Sequence, residues 1–398
     1  MKIDLAPSRV RGFRFAGASA GLKTVAGALD VGLIVADRPA AAAAVFSANR
    51  VKAAPVYVTA DRVRAGRLQA IVANSGCANS FTGRAGIRLA EDSCAEVARL
   101  LGCPSALVVP SSTGVIGHLY DFEKFKSGAA RAVRSLSEDG LGDFARAIMT
   151  TDTRPKTART TFSAGGAKIT MAGAVKGVGM LSPKMATMLG YLTTDAAVGP
   201  ATLRKSLKAA LPGSFNAITV DGDMSTNDTV VIMASGAAAH RAFGPRDQKI
   251  FDTAVADMCS ALARELVRDG EGATKLVTVE VRGARTLPGA ARAARHIANS
   301  PLVKTAFFGC DPNVGRILMA AGSSGAYVES ERLVLWIGGV KVAANGRLIT
   351  EALAAAGRAM REREFDVKLD LRLGKARATI LTCDLSYDYV RINAEYTT

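Results

Sequence analysis

Histidine is scarce in this chain. The three copies, His118, His240 and His296, are far apart among 398 residues, and none has a ligand-like neighbour. A histidine-based triad or metal site is therefore not expected. The six cysteines are scattered and none forms a Cys-x-x-Cys pair. That excludes a sequence-evident zinc site or disulfide frame and fits the reduced thiols of a cytoplasm. Aromatic residues make up 6%, with one tryptophan, too few for a base-stacking platform. No apolar run approaches the ~18 residues of a membrane-spanning helix. The start, MKIDLAPSRVRGFRFAG, lacks the apolar core of a secretory signal. Neither a G-x-S-x-G elbow nor a GxxxxGK[ST] phosphate loop is present.

What remains is an ordinary globular composition, 49% hydrophobic and 22% charged. The formal net charge is +16, but lysine and arginine are dispersed without long runs. A basic surface that attracts anionic metabolites accounts for this, and a basic nucleic-acid-binding protein is the competing reading from charge alone. Hydrophobic periodicity predicts strands at 32–37, 53–60, 68–76, 106–110, 167–180 and 274–284. It predicts helices at about 87–101, 119–136, 201–211, 249–272, 291–300, 309–322 and 350–363. The segment 147–162 reads as a Thr-rich loop, 216–236 as strand, polar loop and strand, and 333–347 as a meander. Strict alternation at 367–373, followed by Gly374-Lys375, predicts a hairpin with the strand that follows. Strands and helices mix without βαβ regularity, so the fold class is α+β, with layered sheets covered by helices.

The stretch KGVGMLSPKMATMLGYLTTDA, 176–196, is apolar and glycine-rich around Thr187. Taken alone, Thr187 reads as a core-helix residue. A threonine hydroxyl needs a base to act as nucleophile, and an N-terminal threonine carries one in its own α-amine, whose reference pKa is about 7.7–8.0. Reaching that state requires a cut between Ala186 and Thr187. The strand at 106–110 empties into SSTGVIG, a pattern suited to presenting backbone N–H groups, or to a simple turn. The spaced acids of VDGDMSTND, 220–228, suggest a calcium loop. An EF-hand wants glycine at its sixth position and glutamate at its twelfth, so a structural turn and no metal are expected.

The central stretch resembles the signature of the ornithine acetyltransferase family, also called the bifunctional glutamate N-acetyltransferase family of arginine biosynthesis. GFRFAGASAGLK, NRVKAAPV, NSGCANSFTG, SSTGVIG, TVDGDMSTNDT, RDGEGATK, LVKTAFFGCDPNVGRI and YVRINAEYTT are similar to family motifs and stand in family order. The resemblance implies a ping-pong acetyl transfer from N-acetylornithine to glutamate, with acetyl-CoA as a further donor in some members and no cofactor. It implies Thr187 as nucleophile, Ala186–Thr187 as the scissile bond, and Thr113 with Gly114 as the oxyanion hole. Thr150, Lys176, Glu271, Asn393 and Thr398 become substrate-binding residues. The products of self-cleavage would be an alpha chain, 1–186, and a beta chain, 187–398, paired as a heterotetramer of two alpha and two beta chains in the cytoplasm.

Singly these assignments are weak. Lys176 alone reads as a surface lysine, Glu271 as a loop acid, and Asn393 and Thr398 as a frayed terminus. Three positions depart from the family pattern: Lys184 and Cys77 stand where asparagine is usual, and Val314 where tryptophan is. An amidohydrolase or aminopeptidase using the same threonine is the alternative enzyme.

Overall fold

The structure, a computed structural model, describes residues 1–182 and 188–395. Ala186, Thr187, Lys184 and Thr398 lie outside the described residues. The chain forms two compact units. Among the described residues, one comprises Met1–Asn216 with Asp223–Leu266, and the other Ala217–Gly222 with Val267 to Glu395.

The first unit is built on β1 (Phe13–Ala18), β2 (Val31–Phe46), β3 (Arg67–Cys77), β4 (Val108–Val115), β5 (Lys156–Ala164), β6 (Ala167–Lys176), β7 (Leu189–Thr194) and β8 (Thr229–Ala234). Among the described residues these make an eight-stranded sheet in the order β4-β3-β2-β8-β7-β6-β5, with β1 also on β2. Its helices are α1 (Ala54–Arg62), α2 (Gly83–Leu101), α3 (Phe122–Arg134), α4 (Leu141–Ala147), α5 (Pro200–Ala210) and most of α6 (Pro245–Arg268).

Successive residues of a strand point to opposite faces, and here both faces are buried. Phe13, Phe15, Ile34 and Ala36 pack with Leu141 and Phe144 of α4. Ala16, Ala18, Leu33 and Val35 pack with Cys94 and Val97 of α2 and Phe125 of α3. Strands buried on two sides read as near-continuous apolar runs, which is why 68–76 and 106–110 were legible. Within the helix predicted at 249–272, Phe251, Val255, Met258, Leu262 and Leu266 are wholly buried on α6. Each such side chain contributes about 1.5–3 kcal/mol by leaving water.

In the second unit, β9 (Leu276–Ala284), β10 (Val334–Ile337), β11 (Val340–Ala344), β12 (Arg347–Leu348), β13 (Glu364–Asp370) and β14 (Ala376–Cys383) form a six-stranded sheet among the described residues. Helices α7 (Leu287–Asn299), α8 (Pro301–Phe308), α9 (Val314–Gly322), α10 (Leu353–Ala359) and α11 (Tyr387–Glu395) belong to it. Ala290, Ala293 and Ile297 of α7 pack on Val277, Val279 and Val281 of β9. The α+β layering is as expected. No helix among the described residues is long and apolar enough to cross a membrane.

Several local expectations are corrected. AAPVYVTA is not a strand: Pro55 opens α1, where its missing N–H and fixed φ suit the first turn. The Thr-rich loop is half strand, since β5 starts at Lys156 and pairs with β6 along its length. The first strand expected within 216–236 is reduced to a single bridge, Ile218 to Leu381. Helix α8 was missed, although Ser300 caps it and Pro301 opens it. The expected C-terminal hairpin does not form. β9 lies between β13 and β14, parallel to the first and antiparallel to the second. A tight turn signal cannot reveal a strand inserted from 80 residues earlier. The helix predicted to 272 ends at Arg268, and Gly272 is left-handed at φ +66°, where a Cβ would lie 2.4 Å from the Tyr389 nitrogen.

Candidate functional site

Four residues picked out by motif converge in the first unit. Thr113 and Gly114 lie near the end of β4, so SSTG is strand and not turn. Lys176 is the last residue of β6, and Thr150 follows α4. Lys176 Nζ donates to Thr113 Oγ1 at 3.1 Å and to Thr150 Oγ1 at 2.7 Å. β4 and β6 stand at opposite sides of the sheet order, yet the lysine reaches from one to the other. Only 5% of Lys176 is exposed, so it is not a surface lysine.

A buried ammonium needs countercharge, and Asp152 supplies it. This carboxylate was not singled out by sequence. Its Oδ1 accepts from Lys156 Nζ at 2.6 Å and from the Gly177 N–H at 3.0 Å. Its Oδ2 accepts from the Thr150 N–H at 3.0 Å and lies 3.9 Å from Lys176 Nζ. Burial alone would raise the Asp152 pKa. The charges of Lys176 and Lys156, with the hydrogen bonds from Lys156 and Gly177, outweigh it and hold the group at about 2. The only sequence signal was the i,i+4 spacing of Asp152 and Lys156, hidden inside a stretch taken for loop.

Gly114 has φ +130°, and a Cβ there would lie 2.3 Å from the Gly76 carbonyl carbon and 2.6 Å from the Cys77 nitrogen. Glycine is therefore required by close approach of the parallel strands β3 and β4, whose register shifts at Gly76 and Cys77. The strand end is braced from both sides. Ser112 Oγ donates to Asn74 Oδ1 at 2.6 Å, and Asn227 Nδ2 donates to the Ser112 carbonyl at 2.8 Å. Gly76 also abuts Lys23, whose Cγ would lie 3.3 Å from a Cβ on that glycine. Burial lowers the Lys23 pKa to about 8, with Asp30 and Asp152 opposing and Lys176 adding to the fall. Lys23 is a second cation in the field of Lys176, and sequence reasoning missed it.

The segment 224–228 is held at many points, as expected of a structural turn. Asn49 Nδ2 donates to the Met224 carbonyl, Ser47 Oγ to the Ser225 carbonyl and Ala53 N–H to the Thr226 carbonyl. Asp228, which follows, is buried; its Oδ1 accepts from the Met188 N–H at 3.0 Å.

In the second unit, Glu271 and Asn393 meet across 122 residues of sequence: Asn393 Nδ2 donates to Glu271 Oε2 at 2.9 Å. Asn393 sits on α11, so the expected frayed end is helical up to Glu395. Of the departures, Cys77 is buried and donates to the His118 carbonyl at 3.1 Å, and burial pushes its thiol pKa up. Val314 begins α9 and, with Leu318 and Leu333, lines a cavity of about 450 Å³. Lys184 and the expected nucleophile, scissile bond and Thr398 are outside the described residues.

Chemically, the first unit offers a cationic, largely dehydrated corner with two threonine hydroxyls and a strand end where only glycine fits. Such a corner suits anionic small molecules and developing negative charge. The chain is similar to known proteins along nearly its whole length. A family model described as the ArgJ family matches residues 14–398. An arginine biosynthesis bifunctional protein ArgJ from Geobacter sulfurreducens is 47% identical over 392 residues, covering 98% of this chain and 100% of its own. The protein of the same name from Symbiobacterium thermophilum is 47% identical over 390 residues, covering 97% of each. A solved ornithine acetyltransferase from Mycobacterium tuberculosis, complexed with ornithine, is 35% identical with a TM-score of 0.42, over 46% of this chain and 99% of that one.

Proposed function

This chain belongs to the ArgJ family, and from that premise we propose that it moves an acetyl group from N-acetylornithine to glutamate through an acetyl ester on Thr187. The observation that carries the reading is the Lys176 ammonium bonded to Thr113 and Thr150 at once. It ties two residues given substrate and oxyanion roles to one buried cation.

The chain first cuts itself. The Thr187 hydroxyl attacks the Ala186 carbonyl, the C–N bond breaks, and water opens the resulting ester. Thr187 is then the first residue of a beta chain, and its α-amine is the base for its own hydroxyl. In the transfer, Thr187 Oγ attacks the acetyl carbonyl of N-acetylornithine and the α-amine takes the hydroxyl proton. The oxyanion forms against Thr113 and Gly114; one such donor is worth ~10²–10³ in rate. The tetrahedral adduct collapses, the proton passes to the departing amine, and ornithine leaves. The amine of glutamate then attacks the acetyl ester, giving N-acetylglutamate and free Thr187.

Lys176 and Thr150 bind the substrate beside the reacting centre. In this reading Glu271, which accepts from Asn393, takes the basic amine or the α-amino group of ornithine, and Asn393 and Thr398 are the further substrate-binding residues. No cofactor takes part in this scheme, and an acceptor assay with acetyl-CoA and glutamate decides whether acetyl-CoA is a second donor. Two alpha and two beta chains assemble in the cytoplasm.

A denaturing gel with N-terminal sequencing, followed by labelled acetyl transfer, tests the scheme. Two chains of 186 and 212 residues (398 minus 186) are expected, the second starting at Thr187, and label should pass from N-acetylornithine to glutamate. One intact chain in active protein would sink the mechanism. Acetate released with no N-acetylglutamate would make the protein a hydrolase.

A further inference from the structure

Strands β7 and β8 are parallel, with Leu189 opposite Thr229. One step before that rung stand Met188 and Asp228. The Thr229 N–H donates to the Met188 carbonyl at 3.1 Å. In the reverse direction the ladder is continued by a side chain, since Asp228 Oδ1 accepts the Met188 N–H at 3.0 Å. Met188 is thus gripped at both its amide and its carbonyl. Its nitrogen belongs to the peptide unit whose carbonyl is that of residue 187.

Asp228 is 1% exposed. Its other oxygen, Oδ2, is buried and has no hydrogen-bond partner among the described residues. An ionised carboxylate with one oxygen buried and unpartnered is costly in such a place, and a neutral acid costs less. The groups that bear on it are the Lys176 ammonium and the hydroxyls of Ser47 and Ser225. The Ser47 hydroxyl proton is committed to the Ser225 carbonyl at 2.7 Å. Ser225 Oγ accepts from the Asn227 N–H at 3.1 Å.

We propose that Asp228 is the positioning residue of the nucleophile, acting by holding the amide of Met188, the residue that follows Thr187 in the chain. It acts in the neutral form, with one oxygen accepting from Met188 and an O–H on the other. The inference rests on Thr187 being the nucleophile. Burial raises the Asp228 pKa well above the usual carboxylate range, and the Met188 N–H, the serines and Lys176 only partly offset this. Function that needs the neutral acid is present below that raised pKa and is lost as pH rises through it.

The test compares wild-type enzyme, Asp228→Asn and Asp228→Ala in acetyl transfer from about pH 5 to about pH 9. Asparagine keeps an acceptor for Met188 and a donor in the second position at every pH. Any falling alkaline limb that the wild type shows in kcat should be absent from Asp228→Asn. Asp228→Ala should mature to two chains and lose roughly 10- to 100-fold in kcat with KM little changed, as a misplaced nucleophile does. Asp228→Asn should recover most of that loss. The same alkaline limb in Asp228→Asn, or an Asp228→Ala enzyme at wild-type kcat, overturns the proposal. If Asp228→Ala fails to fold, the profile of Asp228→Asn decides alone. A wild-type protein that runs as one chain overturns the reading of Thr187 itself.

Discussion

Lys176 and Thr113 are 63 residues apart in sequence, and the lysine Nζ lies 3.1 Å from the threonine Oγ1. The bond reaches from β6 to β4, strands separated by four others in the sheet order. Replacing Lys176 by methionine keeps the aliphatic stem and removes the ammonium that Thr113 and Thr150 share. We expect kcat/KM for N-acetylornithine to fall about 100-fold, equal to ~2.7 kcal/mol of lost transition-state binding. A steady-state assay on folded, two-chain protein checks it.

Asp152 is the countercharge for two buried lysines. Asp152→Ala leaves both uncompensated and should cost about 3–5 kcal/mol in unfolding free energy, measured by denaturant titration. The native pKa, about 2, lies below the unfolded value of about 3.9. The carboxylate therefore stabilises the fold above pH ~4, and that contribution is lost as pH falls from about 4 to about 2. The variant should lack this part of the acid transition.

At Gly114 a methyl group has nowhere to go, because backbone of β3 lies within 2.3–2.6 Å. The left-handed φ adds strain for any other residue. Gly114→Ala should push β3 and β4 apart at the oxyanion end. Activity should fall by at least ~10², with a lower Tm by calorimetry. Full activity in this variant would remove Gly114 from the proposed oxyanion hole.

The proposed cut falls in the connection 177–188, between β6 and β7. A beta chain would then contribute β7 and β8 to the sheet, flanked by β6 and β2 of the alpha chain. Hydrogen-bonded pairing on both sides should keep the halves together. They should co-elute in native size exclusion and separate only in denaturant. Thr187→Ala should remain one uncut, inactive chain of the same native mass per αβ equivalent.

Glu271 and Asn393 share a hydrogen bond. Glu271→Gln and Asn393→Ala should each raise KM for N-acetylornithine about tenfold. The double variant should fall short of the product of the two, with a coupling energy of about 0.5–3 kcal/mol in a double-mutant cycle. Strict additivity would separate their roles.

Much of the fold was legible because burial leaves a period in the sequence. The α6 stripe and the apolar runs of β3 and β4 each lie on one continuous segment. What periodicity misread were places where one residue overrules a pattern, such as Pro55 opening α1, or where pairing is non-local, such as β9 entering between β13 and β14. At the site, Thr113, Gly114, Thr150 and Lys176 were reached by motif order. Lys23 and Asp228 stand inside matched motifs but without a role, and Asp152 and Lys156 outside them, since nothing in a short window marks a carboxylate or lysine as buried.

The chain by itself determined the α+β class, the family and the residue types available for acyl transfer, because these follow from local pattern and motif order. Tertiary structure decided the rest. It made Lys176 a buried bridge and not a surface lysine, and it gave that bridge a countercharge in Asp152. It turned SSTG from a turn into a strand end where only glycine fits at Gly114, and it set Asp228 against the Met188 amide. Each of these depends on which distant segments share one dry volume, and Coulombic and steric costs are defined only once that volume is closed.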